Sequence, residues 1–238
     1  MQKLALLFTK DGLQWQISKN KKIVEEEKHF VEEDSFLNFI EDKLELVLSK
    51  FEYKEITVFS ALNHFSVTPD TFTEHDMGYK LISYNAALEE EKEELMLSVN
   101  KKFGIQFYYT FPKYFYQRIK SKKASTHFNF SGEKFLNSIN VKSGKEIHIN
   151  LFHHQVEFFA FDNKKVVLYN NLDADAEVDF LYFIMFSLSK IGFKISDINF
   201  HVYGEISENE TFISELRKFV KNLQIHFENT SKKNFILN

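Results

Sequence analysis

The stretch "SKNKKIVEEE" (18–27) returns in altered form as "FDNKKVVLYN" (161–170). Asn20-Lys21-Lys22-Ile23-Val24 becomes Asn163-Lys164-Lys165-Val166-Val167, and the shift that carries Asn20 onto Asn163 defines a spacing to test elsewhere. On its own a match this short says little; the question is whether the surroundings repeat as well. Before the first copy, "LALLF" (4–8) is an apolar run and Lys10-Asp11-Gly12 signals a tight turn of the left-handed type. "LQWQISK" (13–19) alternates Leu13, Trp15 and Ile17 with polar residues, the period of a half-buried strand. "KIVEEEKHF" (22–30) reads as a third strand, and Asp34 or Ser35 offers a helix N-cap. Phe36, Phe39, Ile40, Leu44, Val47 and Leu48 then share one helical face, and "EITVFS" (55–60) is a short strand.

The second copy follows the same order. "EIHINLF" (146–152), "QVEFFAF" (155–161) and "KVVLYNN" (165–171) are strands. The acidic residues Asp173, Asp175, Glu177 and Asp179 precede the apolar helix "FLYFIMFSLSKIGF" (180–193), which suits the positive end of a helix dipole. A strand (198–204), a helix (208–223) and a last strand beginning "QIHFEN" (224–229) complete it. Phe36, Phe39 and Ile40 map onto Phe180, Phe183 and Ile184, one place later than the pentapeptide spacing; Phe51 and Ile56 map onto Phe193 and Ile198, one place earlier. Drift this small is what changes in loop length produce. The pattern predicts an α/β protein with two tandem β-β-β-α-β units, lobe one over 1–141 and lobe two over 142–238.

Between the copies, Thr68-Pro69 reads as the N-cap and first residue of a helix, and "EEEKEE" (89–94) as a solvated segment. "LMLSVN" (95–100) and "IQFYYTF" (105–111) read as strands, and a helix starts from Pro112.

Composition narrows the function classes. The 238 residues are 44% apolar and 27% charged, a globular balance. A net charge of −4 gives no bulk reason to bind nucleic acid or an anionic membrane. The absence of cysteine excludes disulfides and thiolate-held zinc or iron–sulfur clusters, and fits a cytoplasmic setting. The longest apolar stretch, "FLYFIMF" (180–186), is far short of the roughly 20 residues that span a bilayer. With Gly at 7 against Phe at 28, glycine-rich phosphate loops have few places to occur.

Three antiparallel strands followed by α-β-α-β is the order of a ribonuclease H-like unit, and two in tandem make the actin-like ATPase fold. The stretches "VVLYNNLDADAEVDFLYFIMFSLSKIGF" (166–193) and "INFHVYGEI" (198–206) resemble a bacterial family of unknown function with that fold, seen chiefly among Bacteroidetes. Relatives by fold are pilus-assembly and cell-division actin homologues. The resemblance implies an interdomain cleft that in active relatives holds ATP and a divalent metal. Such relatives carry an Asp-x-Gly-Thr/Ser loop in the first hairpin; here it reads Thr9-Lys10-Asp11-Gly12-Leu13, with no hydroxyl after Gly12. The matching hairpin of the second lobe, Phe152-His153-His154-Gln155, has neither Gly nor Asp, and the adenine-side glycine pair is reduced to Tyr203-Gly204-Glu205. Asp11, Gly12 and Gly204 are thus vestigial cleft candidates, and the expectation is no ATPase chemistry, no catalytic residue, no cofactor and no metal.

Other constellations are weaker. His153 and His154, read as neighbours on a strand, point to opposite faces and cannot chelate together. The acidic run before the helix lacks EF-hand spacing. Arg118, Lys120, Lys122 and Lys123 with Tyr114 and Tyr116 form the only basic-aromatic cluster, and a surface helix explains it better than RNA. The leading function is a non-enzymatic protein-interaction or scaffold module with a protein partner, a second copy being one candidate. The alternative is an unconventional nucleotide-binding protein using the cleft. The helix at 180–191 is apolar all round and is expected to be buried between the lobes, or, if exposed, to be a partner site.

Overall fold

The structure is a computed structural model that describes residues 2–31, 36–152, 154–173, 177–204, 211–226 and 235–237. The N-cap expected at Asp34 or Ser35 lies outside these residues, as do His153, Asp175 and Glu205. The chain divides into two compact units, one reaching to Lys134 and including Leu237, the other Phe135–Ile236.

The first unit begins with β1 (Gln2–Thr9), β2 (Gly12–Lys19) and β3 (Lys22–Phe30), followed by α1 (Phe36–Lys50) and β4 (Tyr53–Ser60). Next come β5 (Phe65–Pro69), α2 (Gly78–Ser83), β6 (Glu93–Asn100), β7 (Ile105–Pro112), α3 (Lys113–Lys120) and β8 (Ser125–Phe130). Its main sheet has the order β3-β2-β1-β4-β8, antiparallel in the first three strands and parallel from β1 to β4 to β8. After α4 (Ser131–Ser138), the second unit runs β9 (Lys145–Leu151), β10 (Gln155–Asp162), β11 (Lys165–Asp173), α5 (Glu177–Lys190), β12 (Ile198–Gly204), α6 (Thr211–Phe219) and β13 (Leu223–Ile225). Its sheet order is β11-β10-β9-β12-β13, the same arrangement strand for strand.

The repeated pentapeptide has a physical meaning. Asn20-Lys21 and Asn163-Lys164 are two-residue hairpin loops with φ of 53° and 63°, and of 48° and 70°. Positive φ at both central positions is what a type I′ turn requires, and Asn tolerates it best after Gly. One step further along, the ladder slips in both units. Ser18 pairs with Ile23 and Ile17 with Glu25, which leaves Val24 as the extra residue. Phe161 pairs with Val166 and Ala160 with Leu168, which leaves Val167. A turn and a bulge recur together at the spacing that carries Asn20 onto Asn163. The Asp-Gly doublet behaves differently from expectation. Gly12 pairs with Thr9 as the first residue of β2, and is not among the glycines of positive φ. It is glycine because a Cβ there would stand 2.3 Å from the carbonyl oxygen of His29 on β3.

Leu4, Leu6, Phe8, Leu13, Trp15 and Ile17 of the first sheet pack on Ile40, Leu44, Val47 and Leu48 of α1 in one core, with Phe111, Phe115 and Ile119 around α3. In the second unit, Ile147, Ile149, Val156, Phe158, Phe200 and Val202 pack on Phe180, Ile184 and Leu188 of α5 and on Phe212, Ile213 and Leu216 of α6. Each such buried side chain contributes about 1.5–3 kcal/mol of hydrophobic stabilisation.

Two expectations are corrected. Thr68-Pro69 does not open a helix: both lie in β5, paired with Gln106 and Ile105 of β7. β5 is an edge of the small sheet β5-β7-β6, where a proline at the strand end disrupts no ladder. Nor is α5 buried around most of its circumference. Phe180, Leu181, Ile184 and Leu188 are buried and Met185 half-buried, whereas Val178, Tyr182, Phe183 and Phe186 are 55%, 63%, 40% and 49% exposed. One helical stripe suffices to cover the sheet. The remaining aromatic residues stay exposed, with Tyr182 stacked on Phe186 at 6.2 Å. Among the described residues no helix is long and apolar enough to cross a membrane.

Candidate functional site

On β9, Ile147, Ile149 and Leu151 join the helix-side core, so strand alternation turns Glu146, His148 and Asn150 to the opposite face. The parallel neighbour β12 places His201 beside His148 and Tyr203 beside Asn150 on that same face. β13 sets Gln224 against His201, and His226 follows, its main-chain N–H donating to the carbonyl of Val202 at 2.8 Å. Three strands thus bring one carboxyl group, three imidazoles and one phenol together.

The rings form a stack. His148 and His201 lie 4.5 Å apart and 10° from parallel, His201 and His226 5.3 Å apart, and Tyr203 and His226 4.3 Å apart at 4°. His148 Nε2 is 3.1 Å from Glu146 Oε2, and its Nδ1 is 3.2 Å from the Tyr203 hydroxyl. His201 Nδ1 is 3.0 Å from His226 Nε2. His201 Nε2 is buried, stands 3.8 Å from Glu146 Oε1, and has no hydrogen-bond partner. The main-chain N–H of Lys142 donates to Glu146 Oε2 at 3.0 Å. Glu146 is 1% exposed, His148 0% and His201 8%. Burial dominates the electrostatics of the imidazoles. Desolvation pulls the His148 pKa down to about 4 and lowers those of His201 and His226, which favours neutral imidazoles, while burial raises the Tyr203 phenol. A cleft of about 500 Å³ lined by Lys142, Glu146, His201, Lys221, Asn222 and Gln224 opens onto the carboxyl group and one imidazole.

The same face continues as a polar chain. Asn150 Nδ2 donates to Glu157 Oε1 at 2.7 Å, the Tyr169 hydroxyl donates to Glu157 Oε2 at 3.0 Å, and Gln155 Nε2 donates to Asn171 Oδ1 at 3.0 Å. Phe135 of α4 packs on it, 5.8 Å from Phe159 and 5.5 Å from Tyr203.

The residues singled out in the sequence fall elsewhere. Asp11 closes its own hairpin, accepting the Thr9 hydroxyl at 2.8 Å on Oδ1 and the Val31 N–H at 2.8 Å on its carbonyl. Gly204, at the end of β12, has φ +98°, and a Cβ there would stand 2.2 Å from the Leu151 carbonyl oxygen and 2.6 Å from Asn150 Oδ1. Close backbone packing explains both glycines. His154 sits in the turn between β9 and β10, not on a strand, because Phe152 N–H bonds to the Gln155 carbonyl at 2.9 Å. Asp173 ends β11, and Asp179 is exposed on α5. In the basic cluster, Arg118 pairs with Glu45 and Tyr114 bonds Glu41, both on α1, while Lys120 lies over the Tyr116 and Phe128 rings.

Sequence reasoning missed Glu146, His148, His201 and His226, having weighed only the adjacent pair His153 and His154 among the histidines. The available signal was the alternation Glu146-His148-Asn150 facing His201-Tyr203 once β9 and β12 are paired.

Among solved structures, the chain is similar to a Bacteroides thetaiotaomicron protein described as having an actin-like ATPase fold and unknown function. The two share 17% identity at a TM-score of 0.77, over 94% of this chain and 90% of that one. It is similar to a PilM–PilN type IV pilus biogenesis complex at 9% identity and TM-score 0.63, over 94% and 87%. A filament structure of AlfA from a B. subtilis plasmid matches at 7% identity and TM-score 0.51, over 100% and 96%. No curated protein matches the sequence. The fold is the actin-like ATPase fold, two ribonuclease H-like units in tandem, and with its family match over residues 1–223 the chain belongs to the family described as protein of unknown function (DUF3822).

Proposed function

We propose that this chain is a non-enzymatic protein-interaction module on an actin-like scaffold, with the outer stripe of α5 as its contact surface. The observation that carries the reading is the run Val178, Tyr182, Phe183 and Phe186, all exposed on successive turns of one helix. Exposed aromatics clustered in this way are costly in water and are the residue types enriched at the centres of protein interfaces. The likeness to a chain solved as a PilM–PilN complex supports a protein partner, since that structure is itself a complex. The hairpins support a role without nucleotide: Asp11 is engaged by Thr9, and the β9–β10 turn carries side chains where a phosphate loop needs bare backbone. A cytoplasmic setting fits the cysteine-free composition.

Photo-crosslinking from position 182 in cells of a related bacterium tests the surface. The expected result is one recurrent protein adduct, lost in a Tyr182→Asp/Phe186→Asp variant that melts like wild type and kept after substitution of Lys54, exposed on β4. An adduct with a second copy of the chain, matched by a dimer in sedimentation, would make the partner the protein itself. Retention of the adduct in the double variant overturns the surface. A melting-point rise with ATP and Mg²⁺ would overturn the nucleotide-free reading.

A further inference from the structure

We propose that Glu146, His148 and His201 form a binding site for a divalent transition metal of the zinc class, entered from the neighbouring cleft. The proposal stands on the second unit alone and is independent of the α5 surface.

Donor type comes first. Two imidazoles and a carboxylate are borderline ligands that suit zinc, cobalt and nickel better than the oxygen-seeking magnesium or calcium. The three candidate ligand atoms all lie within 4.8 Å of one another. Bonds of about 2.0–2.2 Å in a tetrahedron put ligand atoms roughly 3.4 Å apart. Glu146 Oε2 stands 3.1 Å from His148 Nε2 and Glu146 Oε1 stands 3.8 Å from His201 Nε2, either side of that value, so the carboxylate faces one imidazole with each oxygen.

The surroundings supply the second argument. A metal-bound histidine needs its other ring nitrogen held, which fixes its orientation. Here both are held, His148 Nδ1 by the Tyr203 hydroxyl and His201 Nδ1 by His226 Nε2. Both ε nitrogens are left for Glu146 and whatever sits beside it. A phenol can donate or accept, so Tyr203 serves His148 whether its Nε2 carries a proton toward Glu146 or a metal has replaced that proton.

Third, the site is short of partners in the way a missing cation would explain. His201 Nε2 is buried without a hydrogen bond, an unfavourable state for a polar group. Glu146 is buried, and among the described residues no lysine or arginine forms an ion pair with it. Buried carboxylates are ordinarily paired with a cation or coordinate a metal.

The two rings lie 10° from parallel, so both lone pairs do not yet converge on one point. Metal capture therefore requires the His201 ring to pivot about its Nδ1 contact with His226, which swings Nε2, the nitrogen without a hydrogen bond, toward Glu146. Three protein ligands would leave a fourth position, the arrangement of an open zinc site, and Lys142 and Lys221 at the cleft make it suited to an anionic fourth ligand.

Tag-free protein stripped with a chelator is titrated with Zn²⁺ by calorimetry and with Co²⁺ by visible absorption. The expected results are one ion per chain, d–d bands of a four-coordinate nitrogen–oxygen site, and a raised melting temperature. Glu146→Gln and His201→Ala should each abolish uptake, His226→Ala should weaken it roughly 10–100-fold through the outer hydrogen bond, and substitution of His127, itself exposed on β8, by Ala should leave it unchanged. Should the site variants not fold, imidazole NMR signals of the wild-type protein answer instead: Zn²⁺ must shift those of His148 and His201. Absence of one-to-one uptake, shifts confined to other histidines, or full binding by folded His201→Ala overturns the site and leaves a metal-free ring stack.

Discussion

Asn163 and Gly144 are joined twice: the Asn163 N–H donates to the Gly144 carbonyl at 2.9 Å, and the Gly144 N–H donates to Asn163 Oδ1 at 3.1 Å. The type I′ turn of the second unit is thereby tied to the loop that leads into β9. Asn163→Gly keeps the left-handed backbone and loses the side-chain bonds to Gly144 N–H and to the exposed Asp162 carboxylate at 2.9 Å, so it should cost about 1–2 kcal/mol. Asn163→Ala adds left-handed strain of about 1–2 kcal/mol. Urea denaturation of the two variants separates the terms, and equal losses would mean the turn carries no strain.

Gly204 and Gly192 both have positive φ, but only one of them is crowded. A Cβ at Gly204 meets the Leu151 backbone at 2.2 Å, whereas nothing lies within 4 Å of one at Gly192. Gly192→Ala should cost about 1 kcal/mol, the price of a left-handed alanine. Gly204→Ala should cost roughly 3 kcal/mol or more, because backbone must move. Thermal melts give the ranking. Similar losses at both positions would mean that the Leu151 backbone gives way at little cost.

Stability should fall at alkaline pH. Burial, with the Glu25 carboxylate adding to it, pushes the Tyr53 phenol up to about 12, and burial also raises Tyr109. An unfolded tyrosine ionises near 10. The folded state therefore holds protons that the unfolded state releases, so the contribution is complete below pH 10 and is lost as pH rises toward 12. Tyr53→Phe should flatten part of that slope while losing the 2.7 Å bond to the Val47 carbonyl, worth about 1 kcal/mol at neutral pH. Chemical denaturation from pH 8 to 11 gives both numbers.

Arg118 pairs with Glu45 across the exposed faces of α3 and α1. Exposed ion pairs are screened and entropically costly, so Arg118→Ala should change stability by less than about 1 kcal/mol. A larger loss in a melt at physiological salt would mean that the pair anchors α3.

What was legible in the sequence was what neighbouring residues decide. Asn20-Lys21 and Asn163-Lys164 declare a turn by backbone preference alone, and the alternation of Leu13, Trp15 and Ile17 declares a buried strand face. Thr68-Pro69 misled because the same pair fits a helix start and the end of an edge strand, and only pairing with β7 decides between them. The exposure of Tyr182 and Phe186 was not legible either. Hydrophobicity says that a helix can be buried on every side, not that the fold has an element to cover each side. The Glu146, His148 and His201 cluster is invisible for a different reason. His148 and His201 are separated in the chain by β10, β11 and α5, and meet only through a parallel pairing made across that crossover.

The two units close their sheets over very different lengths of chain. In the first, Glu55 of β4 pairs with Ser125 of β8 only after β5, α2, β6, β7 and α3 have intervened; in the second, Phe200 of β12 pairs with Leu223 of β13 across α6 alone. A loop roughly three times longer costs about 1 kcal/mol more in closure entropy, and contacts of long sequence separation form late. During folding the second sheet should gain its last strand first, while β4 waits with an open edge that any extended segment could occupy. The segment between β4 and β8 eases that wait. Its β6–β7 hairpin is local and can form early, and it draws the ends of the loop together before β8 arrives. What looks like an elaboration of the fold is, on the time axis, the device that shortens its slowest search.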